Sequence, residues 1–259
     1  MRFCSLGSGS GGNATLIEAS QGITTTRVLV DAGFSERELT RRLGRAGCMP
    51  ADIDAIFITH EHGDHVGRSL AFSQRHRIPL ITSRGTWRAI GTEAYDLTLL
   101  RLTRTGEALA WGDMELHPFA VPHDAMEPLQ LCLTDGAARL GIVTDLGCAP
   151  EAVAMALQRC DALLLECNHD EAMLRAGPYP PMLKRRILGT HGHLSNEAAG
   201  DLLARCRHAG LRTVVAAHLS EKNNSPLLAR SALAGTLDCA PDDIRVADPA
   251  AGFDWLRVD

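Results

Sequence analysis

Short apolar runs recur along the chain, each closed by a polar or glycine-containing turn, and stretches with helical spacing lie between them. The opening reads as two short strands around a glycine turn. Arg27-Val28-Leu29-Val30 reads as a buried strand ending at Asp31, and Ser35, with Glu38 three residues on, marks a helix start. The run Ile53 to Ile58 predicts a further strand, followed by a polar loop, a helix to about Arg75 and a strand from Ile78 to Thr82. The middle of the chain reads as a run of strands: Leu97 to Leu102, Met114 to Ala120, Leu129 to Leu133 and Leu140 to Thr144. An alternating segment follows, with helix 150–159, strand Ala162 to Glu166, helix 195–208, strand Thr213 to Ala217 and a last helix near 225–235. No Pro- or Ser-rich linker and no short-period repeat interrupts this order, which predicts one α/β domain over residues 1–259 and excludes a solenoid.

The polar positions that close these strands are not ordinary turn residues. Directly after Ile58 comes Thr59-His60-Glu61-His62-Gly63-Asp64-His65, with three of the chain's eleven histidines inside six positions. A solvated turn is satisfied by Asp, Asn, Ser or Gly, whereas neutral imidazole and carboxylate together are ligands for zinc, manganese or iron. A catalytic metal draws ligands from several strand ends, and ligand types recur in that context: His123 after the strand ending near Ala120, Asp145 after Thr144, and His218 after Ala217. Any one of them could be a core histidine or a helix cap. Four strand ends presenting ligand types are not explained by packing.

Composition narrows the setting. At 45% hydrophobic residues the chain can build a substantial core, and no apolar run approaches twenty residues. Neither a membrane span nor a secretory leader is expected, and the eight cysteines show no CxxC spacing, so buried thiols in a cytoplasmic protein are predicted. The formal charge of −5 argues against bulk electrostatic coating of nucleic acid. Basic clusters are local, at Arg37 to Arg45 and at Lys184-Arg185-Arg186.

With these residues in place, the chain resembles the metallo-β-lactamase superfamily, whose HxHxDH motif is met by His60, His62, Asp64 and His65. The resemblance extends over about residues 1–225 and implies a four-layer αβ/βα sandwich with a dinuclear site on one edge. It implies His60, His62 and His123 on the first metal, Asp64, His65 and His218 on the second, and Asp145 bridging. Asp31 is implied to brace the histidine loop by hydrogen bonding, a duty that orients metal ligands. Two divalent ions are implied, zinc first, with manganese or iron as alternatives.

The same scaffold hosts several chemistries, so the substrate must come from other residues. A flavo-diiron oxidoreductase is disfavoured because that group carries an acidic residue where His62 stands. Ordinary β-lactamases are disfavoured because they are secreted and commonly lack this Asp-His pair with a bridging Asp. The segment Tyr179 to Asn196 joins a basic cluster to a His-x-Ser element. With Ser8 to Asn13, Glu166 to Asp170 and Leu219 to Asn224 it resembles the YycJ (WalJ) subfamily of small exonucleases, Gly11 standing where a serine is more usual.

The expected reaction is two-metal hydrolysis of a phosphodiester, a 5'-exonuclease-like cleavage of DNA or RNA in which a bridging hydroxide attacks phosphorus. Asp64, His193 and Asp31 form the expected catalytic set, with His193, at a helix entrance, stabilising developing charge or protonating the departing sugar oxygen. Lys184, Arg185, Arg186, His169, Ser195 and Asn196 are the candidate substrate contacts. Ser195 could equally serve only as a helix cap, and His169 as a buried partner of Glu166. The rival functions are a small-molecule hydrolase acting on a cyclic phosphodiester, thioester or lactone, and a non-catalytic metal-binding scaffold. Neither a membrane nor an obligatory protein partner is expected.

Overall fold

Alternation along the strands decides the layering. In Ala162–Glu166, Leu163 and Leu165 belong to one buried cluster and Leu164 to another, so both faces of this strand are covered. The computed structural model describes residues 1–259. Its strands are β1 (Arg2–Gly7), β2 (Ala14–Gln21), β3 (Thr24–Val30), β4 (Ala55–Phe57), β5 (Leu80–Ser83), β6 (Leu100–Thr103), β7 (Leu109–Trp111), β8 (Met114–Ala120), β9 (Leu129–Thr134), β10 (Arg139–Val143), β11 (Ala162–Glu166), β12 (Thr213–Ala217), β13 (Arg245–Val246) and β14 (Phe253–Arg257). They form two seven-stranded mixed sheets, in the orders β14-β1-β2-β3-β4-β5-β6 and β13-β12-β11-β10-β9-β8-β7. The helices are α1 (Glu36–Arg45), α2 (Gly63–Val66), α3 (Ser69–His76), α4 (Arg84–Ile90), α5 (Glu151–Leu157), α6 (Glu171–Ala176), α7 (Pro181–Ile187), α8 (Asn196–Cys206) and α9 (Pro226–Leu237).

Three buried clusters separate four layers. Phe3, Ile17, Val28 and Phe57 of the first sheet meet Leu116, Leu131, Leu164 and Val215 of the second. Outside the first sheet, Leu16, Leu29 and Ile56 pack under Leu39 and Leu43 of α1 and Phe72 of α3. Outside the second, Leu163, Leu165 and Val214 pack under α5, α8 and α9 through Leu157, Leu203 and Leu233. The order helix, sheet, sheet, helix is the predicted αβ/βα sandwich.

Register sets where the functional edge lies. Val30 pairs with Phe57 in the parallel β3–β4 ladder, which places Asp31 beside the start of the histidine loop. Val143 pairs with Leu165, and Glu166 with Ala217, in the parallel β10–β11–β12 ladders, so Asp145, Glu166 and His218 emerge at one level. Ligands gather at the carboxyl ends of parallel strands for this reason.

Several stretches differ from expectation, and α4, α6, α7 and β7 were not read from the sequence pattern. The helix after the histidine loop is broken into α2 and α3 at Gly67, whose φ of 44° lies in the left-handed region and which sits against the Ala32 carbonyl. Residues 97–99 wind into a single 3₁₀ turn capped by the Asp96 side chain, so that strand begins only at Leu100. The chain end adds two strands that the sequence pattern did not predict, with β14 pairing antiparallel to β1. No helix is long and apolar enough to cross a membrane.

Candidate metal centre

Apolar strands that end in a single polar residue deliver the site. Asp31 follows β3, His60 to His65 follow β4 and run into α2, His123 follows β8, Asp145 follows β10, Glu166 closes β11, and His218 follows β12. Asp31, Asp145 and His218 have φ of 62°, 55° and 56°, left-handed values that are costly for residues with a Cβ. Such backbones persist only where the surroundings fix them. The Asp31 amide donates to the Phe57 carbonyl at 2.8 Å, and the His218 amide to Ser8 Oγ at 2.9 Å.

His60, His62 and His123 form the first ligand group. Asp31 accepts from the Thr59 amide at 2.9 Å and from the Thr59 hydroxyl, which stands 3.0 Å from His60 Nδ1. Because that hydroxyl proton is committed to Asp31, His60 Nδ1–H is the donor and its Nε2 carries a lone pair. His123 Nδ1 likewise donates to the Gly192 carbonyl at 3.0 Å, leaving its Nε2 bare. His60 Nε2 and His123 Nε2 lie 3.1 and 3.2 Å from His62 Nδ1. Burial, reinforced by the neighbouring His65 charge, pushes the His60 pKa well below the usual imidazole range, and burial lowers that of His123. The bare Nε2 atoms of His60 and His123, converging on a third imidazole nitrogen, suit a divalent cation.

Asp64, His65 and His218 form the second group, with Asp64 Oδ2 standing 3.6 Å from His65 Nε2 and 3.5 Å from His218 Nε2. His65 Nδ1 is fixed on Asp31 Oδ2 at 2.7 Å and His218 Nδ1 on Glu166 Oε1 at 3.2 Å, so both Nε2 atoms face inward. Asn13 holds the same loop, its amide nitrogen 3.3 Å from the Asp64 carbonyl and 3.1 Å from His65 Nε2. Asp145 stands between the groups, its Oδ2 3.0 Å from His65 Nε2 and its Oδ1 3.9 Å from His123 Nε2. Asp145 Oδ2 is nonetheless buried with no aligned hydrogen-bond donor.

The electrostatics follow from this carboxylate density. Burial resists charge on Asp145, but the imidazoles of His218 and His65 hold its pKa well below the ordinary value. Burial also opposes charge on His65, yet Asp145 and Asp31 raise it well above the imidazole range, and Asp145 together with Asp64 and Glu166 holds His218 at about 10. Buried ionised carboxylates require compensating positive charge. Divalent cations among these same atoms would supply it, and the orphaned Asp145 oxygen is placed to accept one. The donor set fits metal ions.

The family model described as the metallo-beta-lactamase superfamily matches residues 7–218, which include every ligand-type residue named above. The chain belongs to the metallo-β-lactamase superfamily. Along its whole length it is 32% identical, over 262 residues and 93% of the relative, to a Streptococcus pneumoniae protein named exodeoxyribonuclease WalJ. A Bacillus anthracis protein named exodeoxyribonuclease YycJ is 32% identical over 242 residues, covering 92% of this chain and 89% of the relative. Among solved structures, the metallo-β-lactamase-fold protein YhfI of Bacillus subtilis aligns over 98% of both chains with a TM-score of 0.72 at 15% identity, a likeness of fold alone.

Within this superfamily centre, Glu166 does more than the sequence signalled. Its side chain is fully buried, and its carboxylate accepts from His193 Nδ1 at 2.8 Å, His218 Nδ1 at 3.2 Å, and the amides of Leu146 and Leu194 at 3.1 and 3.0 Å. Burial works against its charge, but the imidazoles of His193 and His218 outweigh that cost and hold its pKa down at about 2. The available signal was a lone carboxylate ending an otherwise apolar strand, as at Asp31.

His193 is drawn to the centre, with Nδ1 3.6 Å from Asp145 and the ring one-fifth exposed. Burial works against its charge, but Glu166 raises its pKa above the usual value. The loop that carries it is tightly seated, because a Cβ on Gly147 would strike the Gly192 amide and Thr190 carbonyl carbon. His169 is buried with both ring nitrogens unpartnered, and Glu166 bonds His193 and His218 rather than His169. Ser195 accepts from the Ala198 amide as the cap of α8, and Asn196 exchanges side-chain hydrogen bonds with Asn224.

The basic cluster divides. Lys184 Nζ donates to the Arg175 carbonyl at 2.7 Å, Arg185 is exposed, and Arg186 pairs through Nε with Asp124, whose Oδ1 is 3.5 Å from His123 Nε2. Arg186 and His193 line a cavity of about 170 Å³ beside the centre, together with Ser10, Asp124, Asn168 and Tyr179. A larger hollow of about 670 Å³ at Arg139, Arg159 and His208 contains none of the ligand-type clusters.

Proposed function

We propose that this chain is a dinuclear metallo-exodeoxyribonuclease that hydrolyses phosphodiesters at DNA ends. The observation that carries the reading is the gathering of ligand-type triplets around Asp145 in a chain that matches named exodeoxyribonucleases from end to end. His60, His62 and His123 would hold one ion, and Asp64, His65 and His218 the other. Asp145 would bridge. Zinc suits this imidazole-rich, carboxylate-completed set best. Bound there, two divalent ions supply Lewis acidity that lowers the pKa of water and offsets charge on the phosphoryl oxygens.

The chain's own residues perform the rest. Asp31, Thr59 and Glu166 fix which nitrogen of His65, His60 and His218 faces the centre, and the Gly192 carbonyl does so for His123, so these ligands need not reorganise. His193, its Nδ1–H committed to Glu166, presents Nε2 to the cavity side, where it can give a proton to a departing sugar oxygen. Arg186 faces the same cavity with guanidinium donors that Asp124 does not use. The whole chain acts as one catalytic domain, and eight unpaired cysteines suit the reducing cytoplasm in which we place it.

Zinc-reconstituted protein should be offered end-labelled duplex DNA, single-stranded DNA and RNA, an aryl phosphodiester, a thioester and a lactone. Progressive shortening of DNA from its ends is expected. Thioester or lactone turnover without phosphodiester cleavage would overturn the proposal.

A further inference from the structure

The cavity beside the centre has a mixed lining. Tyr179, Leu183 and Ile187 bring apolar surface to it, and Ser10, Asn168, Ser220 and Arg186 bring polar groups. His193 and Asp124 close the end toward the centre, and both lie within 3.6 Å of proposed ligands. At about 170 Å³ the cavity is well below the roughly 300–1,000 Å³ of sites for drug-sized ligands. It admits one small group and excludes a strand.

Tyr179 is built to be a fixed surface. It lies in Pro178-Tyr179-Pro180-Pro181, where the prolines on either side restrict the backbone to extended conformations before α7 begins at Pro181. Lys222 Nζ stands 5.8 Å from the ring centroid and is not part of the cavity wall, so it steadies the ring from outside. A half-buried, pre-positioned aromatic side chain lining a small cavity together with a cation is the arrangement by which single-stranded nucleic acid is held through its bases.

We propose that this cavity seats the terminal base of the DNA strand being degraded, stacked on Tyr179, with Arg186 pairing with the phosphate that joins that residue to the rest of the strand. The inference rests on the exonuclease reading and makes it specific. One seat beyond the scissile bond means one nucleotide released per turnover. Water adds across that phosphodiester: a bond from the water oxygen to phosphorus forms, the bond from phosphorus to the sugar oxygen of the seated residue breaks, and that oxygen takes up a proton. The phosphate stays on the shortened strand, and the seated residue leaves as a mononucleotide when the strand carries a terminal phosphate.

The test compares zinc-reconstituted wild type, Tyr179→Ala and Tyr179→Phe on two duplexes that differ only in carrying normal or abasic residues at their termini. Stacking of one base predicts that wild type prefers the normal ends by roughly 5- to 150-fold in kcat/KM, mainly through KM. Tyr179→Ala should treat the two duplexes alike to within about twofold, and Tyr179→Phe should restore the preference; Tyr179→Leu gives the same comparison if the alanine variant is unstable. Mononucleotides should be the first labelled product. A wild-type preference that survives in Tyr179→Ala, no preference in wild type, or first products of two or more nucleotides would overturn the subsite while leaving the exonuclease reading intact. Wild type that hydrolyses aryl phosphodiesters but degrades neither duplex would overturn the exonuclease reading itself.

Discussion

Replacing Glu166 by glutamine isolates the buried carboxylate that joins both halves of the centre. Glu166 Oε1 takes the Nδ1 protons of His193 and His218, and Oε2 takes the amides of Leu146 and Leu194. Glutamine keeps the shape but converts one oxygen into a second donor, so whichever way the amide turns, two buried donors lose their acceptor. At roughly 1–3 kcal/mol for each such group, the total cost is about 2–6 kcal/mol. If the amide oxygen stays with the backbone, the loss falls on the imidazoles: His218 is no longer held with Nδ1 protonated, and Nε2, the atom facing Asp64, can take the proton instead. Substitutions of this kind typically lower metal affinity or activity about 10- to 100-fold. Zinc affinity measured against a competing chromophoric chelator should fall within that range, and DNA hydrolysis should fall with it. Metal-free protein should melt at least about 4 °C lower, at about 2–4 °C per kcal/mol for a chain of this size. Wild-type zinc affinity in the folded variant would refute the assignment of Glu166 as the residue that orients His218.

Three further outcomes are expected. His60→Ala should leave a folded chain that binds one zinc instead of two by elemental analysis and hydrolyses no DNA; wild-type turnover in this variant would remove the dinuclear mechanism. Arg186→Ala should weaken DNA binding and lower the slope of log affinity against log salt by about one, while Lys184→Ala, whose ammonium is held on the Arg175 carbonyl, should leave the slope unchanged. Hydrogen bonds from Arg41 and Arg42 hold Glu38 down at about 2 from its ordinary 4.5. Its folded pKa is thus below its unfolded one, and its contribution is full above about 4.5 and lost as pH falls toward 2. Glu38→Gln should therefore lower the melting temperature at pH 6 slightly and reduce the difference in melting temperature between pH 6 and pH 2.5, which thermal unfolding at both pH values will show.

What the sequence made legible follows from how local each signal is. His60 to His65 announced a ligand loop because three imidazoles in six positions have no packing role, and lone ligand types after β8, β10 and β12 extended the set. The layers came only through the resemblance that this loop carries; that alternate residues of a strand such as β11 face different cores is seen in the structure. The part played by Glu166 was not legible, since a carboxylate at a strand end could as well be solvated until the register of β10, β11 and β12 places it under His193 and His218. Tyr179 was beyond reach for a related reason: its cavity is closed by Ser10 and Ser220, drawn from opposite ends of the chain. The pairing of β14 with β1 spans about as much sequence, and no local pattern carries it. Ser195 and Asn196 are the converse case, for a motif suggested substrate contacts where the structure puts their side chains on the α8 cap and on Asn224.

The distribution of backbone strain ties the site to the fold. Of six non-glycine residues with left-handed φ, three are Asp31, Asp145 and His218, one from the first sheet and two from the second. Each such backbone costs on the order of 1–3 kcal/mol and would relax unless its neighbours held it. They are held by bonds that cross between elements: Asp31 to Phe57 and Thr59, His218 to Ser8, and the turn after Asp145 through Leu146 to Glu166 and Gly147 to Pro122. The sharp turns are what direct these side chains back over the sheet edge, toward ligands from the other sheet, instead of letting the chain run on into solvent. The rigidity that keeps the imidazoles facing one another therefore comes from the buried sheets and their connecting bonds, and changes in Asp31, Thr59 or Glu166 act on metal binding through orientation as well as on the fold.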